Sequence, residues 1–219
     1  MGREIDLLVN YPKAKRDISS RASKKTELDR VIARKFDKSF FDGERRHGYG
    51  GFNYHPRFWK PVIQTFKKHW NLLPGNSILD VGCAKGFMLH DLQEEIVGIQ
   101  VFGVDVSDYA ISNAMETVRN NVQVANAKEL PFDDNSFDVV ISINTIHNLE
   151  ISDCARAIEE IERVSKGKSF ITVDAYRNAT EKIRMLDWNL TAKTILSVDE
   201  WKNLFLEVGY TGDYYWFIP

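Results

Sequence analysis

The chain lacks most of the features that would take it outside ordinary α/β proteins. It has two cysteines, Cys83 and Cys154, which form no C-x-x-C pair and stand in no metal-ligand spacing with the five histidines. That excludes a disulfide scaffold, suits a reducing compartment and leads us to expect no metal. No apolar run approaches the roughly 20 residues that span a bilayer, and the start, M-G-R-E-I-D, has no signal-peptide apolar region. Gly2 is no myristoylation site, because Asp6 stands where Ser or Thr is needed. Neither charge is in excess: 29 Lys and Arg against 31 Asp and Glu give a net −2, so there is no global attraction to nucleic acid or anionic lipid. A cytoplasmic protein without a membrane partner is expected. Internal repeats are absent.

What is present fits one filled α/β core. A chain of 219 residues is long enough for a single such domain, which buries roughly 70% of its unfolded surface. The stretch Ser77 to Leu92, S-I-L-D-V-G-C-A-K-G-F-M-L-H-D-L, organises the rest. It reads as a buried strand, a turn bracketed by Gly82 and Gly86, and a helix whose free N–H groups face the turn. The glycines are expected to let a ligand approach the main chain. Neither G-x-G-x-x-G nor Gly-Lys-Ser/Thr fits, which argues against a dinucleotide fingerprint or a P-loop.

After this turn, strands and helices alternate. Apolar strands are expected at Val101 to Val104, Val122 to Ala125, Phe137 to Ile143 and Ser169 to Val173, with Ser107 and Ser152 capping the helices between them. Such alternation implies right-handed crossovers, a parallel sheet covered on both faces, and ligands at the carboxyl ends of the strands, where Asp80, Asp105, Asn126, Asn144 and Asp174 fall. The box S-V-D-E, Ser197 to Glu200, opens a last helix, and Tyr214 to Ile218 reads as a final strand.

The first 60 residues read as an addition to a domain at 61–219. Between Lys13 and Lys35 lie Lys13, Lys15, Arg16, Arg21, Lys24, Lys25, Arg30, Arg34 and Lys35 against Asp17, Glu27 and Asp29. Such a run is usually a solvated arm; its sharper reading is an anion site. Thr26 and Asp29 make a capping box, and Leu28, Val31, Ile32 and Phe36 would form that helix's apolar face, the helix ending by Asp42-Gly43. Gly48 to Trp59, Gly-rich and aromatic, reads as an ordered loop able to act as a lid.

The acidic strand end followed by Gly82, Ala84 and Gly86 resembles motif I of the class I, Rossmann-like S-adenosylmethionine-dependent methyltransferases, D/E-x-G-x-G-x-G, with alanine in place of the middle glycine. N-A-K-E-L-P-F, Asn126 to Phe132, resembles the family's D-A-x-x-L-P-F. F-D-V-V-I-S-I-N-T-I-H-N-L resembles motif IV of its small-molecule branch, with His147 matching the first histidine and Asn148 replacing the second. The resemblance implies a doubly wound, mostly parallel sheet of six to seven strands with helices on both faces and an antiparallel strand at the C-terminal end.

It also implies S-adenosylmethionine held by Asp80, Gly82, Cys83, Ala84, Gly86, Asp105, Val106, Asn126, Ala127 and Asn144, with Asp105 accepting from the ribose hydroxyls and Asn126 from the adenine amino group. His147 is the leading general base and Asp174 the second. Tyr49, Tyr54, Arg57, Tyr176 and Arg177 are the expected acceptor-binding residues, and the arginines suggest a small molecule bearing a carboxylate or phosphate, methylated on oxygen. The absence of N-P-P-Y or D-P-P-Y speaks against base methylation. An RNA methyltransferase, or a subunit that keeps the fold without turnover, are the alternatives. The oligomeric state is not fixed by the sequence.

Overall fold

The computed structural model describes residues 2–13, 18, 25–50 and 52–219. The expectations for Lys15, Arg16, Arg21 and Lys24 lie outside the described residues. Seven strands form one sheet: β1 Ser77–Val81, β2 Gln100–Asp105, β3 Val122–Val124, β4 Val139–Ile143, β5 Ser169–Tyr176, β6 Leu196–Ser197 and β7 Asp213–Phe217. They run β3-β2-β1-β4-β5 across the sheet. Beyond β5 the edge is shared: β7 pairs with Phe170 to Asp174, and β6 with Ala175 and Tyr176.

The expected antiparallel C-terminal strand is corrected here, because β7 runs parallel to β5. The helix Val198–Glu207, capped by the Ser197/Glu200 box, lies between β6 and β7 and returns the chain to the starting end of the sheet. The final strand therefore leaves in the same direction as its neighbour. Its outer edge pairs in turn with the N-terminus, where the Ile5 N–H donates to the Tyr214 carbonyl at 3.0 Å.

Burial explains the layers. β1 is buried along its whole length and β4 in all but its last residue, because both faces are covered. One face carries Cys154, Ile158 and Ile161 of the helix Ile151–Val164 with Trp201 and Phe205 of the last helix. The other carries Val62, Ile63 and Phe66 of the helix Lys60–Trp70 with Leu89 and Leu92 of the helix Phe87–Glu95. A third cluster, Ala33, Phe40, Phe41, Ala110 and Leu190, joins the N-terminal segment to the ligand end, with Phe52, Ala84 and Tyr109 packed against it.

That segment departs from expectation. The capping box on Thr26 and Asp29 forms, but the helix covers only Glu27–Ala33, and Asp29 and Ala33 face inward. Leu28 and Val31 are 67% and 50% exposed. The chain breaks at Phe36, whose φ is +50°, before a second short helix, Lys38–Phe41, capped by Asp37. The basic side chains explain the orientation. Lys25 and Arg30 donate to the Asn189 carbonyl and Arg34 to those of Thr191 and Ala192. Much of the described basic run thus satisfies the carbonyls that follow the helix Ala179–Trp188, a favourable place for cations.

Candidate active site

The loop after β1 is built from left-handed backbone. Gly82, Ala84 and Gly86 have φ of +92°, +50° and +74°, a region costing an L-residue about 1–2 kcal/mol. The bare face of Gly82 is not reserved for a ligand as expected: an added Cβ would overlap the side chain of Thr145, which follows β4. This glycine lets the β1 and β4 loops pack together. Gly86 opens the helix Phe87–Glu95, and a Cβ there would lie 2.7 Å from Val118 Cγ2.

Two carboxylates close on this loop. Asp105 Oδ2 accepts the Ala84 N–H at 2.8 Å and Oδ1 the Ser107 N–H at 2.9 Å, which orients the carboxylate and leaves each oxygen a lone pair. Burial raises its pKa despite these bonds. Asp80, one strand away, is 5% exposed. Burial, then the nearby Asp105 charge, pushes its pKa up to about 8. No hydrogen-bond partner for the Asp80 carboxylate is found among the described residues. A buried carboxylate left so is costly when ionised, and a cation beside it would remove that cost.

A cavity of about 1430 Å³ opens over the strand ends. Its β1–β3 side is lined by Gly82, Ala84, Asp105, Val106, Asn126 and Ala127, and its β4–β5 side by Tyr49, Asn144, His147, Asp174 and Arg177. Asp80, Cys83 and Gly86 support the loop without lining the wall. Asn126 Oδ1 already accepts the Lys128 N–H at 3.2 Å. The other expected acceptor residues are not brought to the cavity. The Tyr54 hydroxyl donates to Asp91 at 2.7 Å, the Arg57 guanidinium lies over Phe58, and Tyr176 meets Glu200 and Lys182.

His147 sits on a single 3-10 turn, 3% exposed. Its Nδ1 accepts the Asp174 N–H at 3.0 Å, so Nε2 carries the proton and lies 3.7 Å from Asp174 Oδ2. Burial lowers the histidine's pKa while the Asp174 charge opposes it. A ring whose lone pair faces a backbone N–H is badly placed to take a proton, which would set two hydrogens against each other. This geometry does not support the expectation of His147 as general base, and it sets the ring beside Asp174.

Sequence reasoning passed over the contacts that hold the N-terminal segment down. Lys85 Nζ, inside the loop, donates to both Asp42 oxygens at 2.7 and 2.8 Å and to the Phe52 carbonyl. The Tyr109 hydroxyl donates to the same Asp42 carboxylate at 2.6 Å, and Ser107 Oγ donates to the Phe36 carbonyl. The signal was a lysine in a ligand loop, but its partner lies 43 residues upstream.

Residues 79–173 match the family model described as a methyltransferase domain. The mouse protein named arginine-hydroxylase NDUFAF5, mitochondrial, is 37% identical over 89 residues, covering 40% of this chain and 25% of that protein. A demethylmenaquinone methyltransferase of Symbiobacterium thermophilum is 30% identical over 152 residues, 65% of this chain and 59% of that protein. The chain thus spans a quarter to about three-fifths of the length of these relatives. Among solved structures, the Haloferax volcanii complex of the Trm112 methyltransferase activator with a putative methyltransferase aligns over 90% of this chain and 77% of that one, with a TM-score of 0.53 and 22% identity. The match to the methyltransferase-domain model spans somewhat under half of this chain, and the fold is the one that class I, Rossmann-like methyltransferases adopt. No helix among the described residues is long and apolar enough to cross a membrane.

Proposed function

We propose that the protein transfers a methyl group from S-adenosylmethionine to an oxygen of a small-molecule acceptor. The observation that carries this reading is Asp105 on the cavity wall at the left-handed loop, oriented by two backbone N–H groups to receive hydroxyls, with the buried carboxylate of Asp80 behind it adding negative charge that favours a cationic ligand. Both residues fit an adenosyl sulfonium that carries an ammonium group. The ligand, when bound, supplies an activated methyl on a good leaving group, so the protein's part is mainly alignment, which can account for roughly 7–11 kcal/mol of barrier.

In this reading Asp174 takes the acceptor's hydroxyl proton, and His147 holds Asp174 in place by accepting its backbone N–H at Nδ1. The segment 36–50, latched through Asp42 and Lys85, acts as a lid that excludes water, and residues 1–60 are an addition to the domain at 61–219. An anionic acceptor is supported by Arg177 and Lys13 on the cavity wall. A second reading, a planar aromatic acceptor such as a quinol, is favoured by Tyr49, Trp188 and Phe217 on the same wall as Asp174, and by relatives named as quinone methyltransferases. Incubating the protein with labelled S-adenosylmethionine and acceptors of each class tests the choice. Label recovered in neither class would defeat the small-molecule reading.

A further inference from the structure

Two helices at the rim of the cavity leave apolar side chains uncovered. In the helix Ala179–Trp188 only Met185 is buried, while Ile183 and Leu186 are 62% and 48% exposed. The helix Glu27–Ala33 buries Asp29 and Ala33 and turns Leu28 and Val31 to solvent. Residues three apart share a helix face, so each helix shows solvent an apolar pair. Helices this short draw most of their stability from packing an apolar face, and these two pairs are left without it. The helices meet at one end, where Lys25 Nζ donates to the Asp187 carbonyl at 2.6 Å and Arg30 Nη1 to that of Asn189 at 2.7 Å. Lys25, Arg34 and Trp188, at the ends of these helices, line the cavity.

The charge around these pairs decides what would cover them. The chain as a whole carries a net −2, but the rim has the opposite balance. Lys35, Lys182 and Arg184 are exposed, with no carboxylate within 4 Å among the described residues. The acids of the same stretches are engaged or withdrawn: Glu27 pairs with Arg30 and Arg34, Asp29 caps its own helix, Glu181 pairs with Arg177, and Asp187 is half-buried. We propose that this rim docks the protein on an anionic lipid surface. Ile183, Leu186, Leu28 and Val31 enter the headgroup boundary, and the free cations meet the lipid charge. The cavity mouth is then brought to the bilayer, so that an acceptor dissolved in lipid reaches the Asp174 wall without crossing water. The docking itself does not depend on which acceptor is methylated.

The test is sedimentation of the full chain with vesicles of phosphatidylcholine alone and of phosphatidylcholine mixed with phosphatidylglycerol. The wild type should pellet with the mixed vesicles, stay in solution with the neutral ones, and be released as salt rises. Ile183→Gln with Leu186→Gln should weaken the binding at least about 10-fold, Leu28→Gln with Val31→Gln likewise, and Arg184→Gln about 5-fold. Because these side chains are exposed, thermal unfolding should be unchanged in each variant, which separates lost docking from lost fold. Failure of the wild type to pellet with either vesicle, equal binding to both, or binding that survives the paired substitutions would overturn the proposal. A wild-type dimer that the same substitutions dissociate would assign the face to a second copy of the chain and overturn it equally.

Discussion

Asp80 and Asp105 end neighbouring parallel strands, and burial together with the Asp105 charge holds the Asp80 carboxyl in its protonated form up to about pH 8. Between its ordinary value of 3.8 and that point the unfolded chain has released the proton and the folded chain keeps it. Stability due to this group is therefore complete below the lower value and is lost as pH rises to the upper one, by at most about 1.4 kcal/mol per pH unit. Denaturant unfolding at several pH values should show the wild type losing stability relative to Asp80→Asn from pH 5 to pH 8. A constant difference would mean that Asp80 is ionised throughout.

A linked effect concerns binding. A cationic ligand favours the ionised form of Asp80, so binding near pH 7 should release a proton. Calorimetry of S-adenosylmethionine in buffers of different ionisation enthalpy would reveal it as a buffer-dependent heat, absent in Asp80→Asn if that variant still binds. A buffer-independent heat would show that the cation rests elsewhere.

Two substitutions in the loop should have opposite signs. Gly82→Ala meets both the left-handed penalty of about 1–2 kcal/mol and the Thr145 side chain, so it should destabilise by more than that penalty. Ala84→Gly relieves the same backbone strain, offset by about 0.4–1 kcal/mol of unfolded-state entropy, and should be neutral or slightly stabilising. Thermal unfolding of both variants checks this; destabilisation by Ala84→Gly would contradict the backbone description.

Much of this was legible in the sequence. Strand ends, turn glycines and the Thr26, Ser107 and Ser197 caps are local signals, and Asp80, Asp105, Asn126, Asn144 and Asp174 fall at the carboxyl edge as the alternation requires. What was not legible depends on distant partners. Leu28 and Val31 have helical spacing but point outward, because Arg30 and Arg34 find carbonyls 157 to 159 residues away. Tyr54 lies in the right segment but is drawn to Asp91, and His147 matches a motif whose spacing does not reveal that its Nδ1 faces a backbone N–H. The parallel course of β7 depends on the helix Val198–Glu207, which was foreseen, though its consequence for strand direction was not. The helix Ala179–Trp188 was overlooked although Asn178 caps it by accepting the Glu181 N–H.

The lid latch can be loosened without touching the cavity wall. Asp42→Asn removes the charge opposite Lys85, a side chain that is 10% exposed, and should cost about 1–3 kcal/mol locally. Hydrogen exchange should quicken across residues 36–50 while the helix Lys60–Trp70 keeps its protection. Unchanged exchange in the segment would make it fixed scaffold.

Asp174 and His147 should separate by pH. Asp174→Asn should lower turnover about 10²- to 10⁴-fold, whereas the wild-type rate should show no step at the ordinary histidine pKa, because burial holds that ring neutral. A rate that rises through that region and loses the rise in His147→Gln would restore the histidine as base.

The most direct measurement is a calorimetric titration of the full chain with S-adenosylhomocysteine, for wild type and Asp105→Ala. Saturable one-site binding by the wild type, weakened about 10- to 150-fold when the carboxylate is removed, is the expected result. No binding by the folded wild type, or equal binding by the two, would contradict the claim that the β1 and β2 ends hold an adenosyl cofactor.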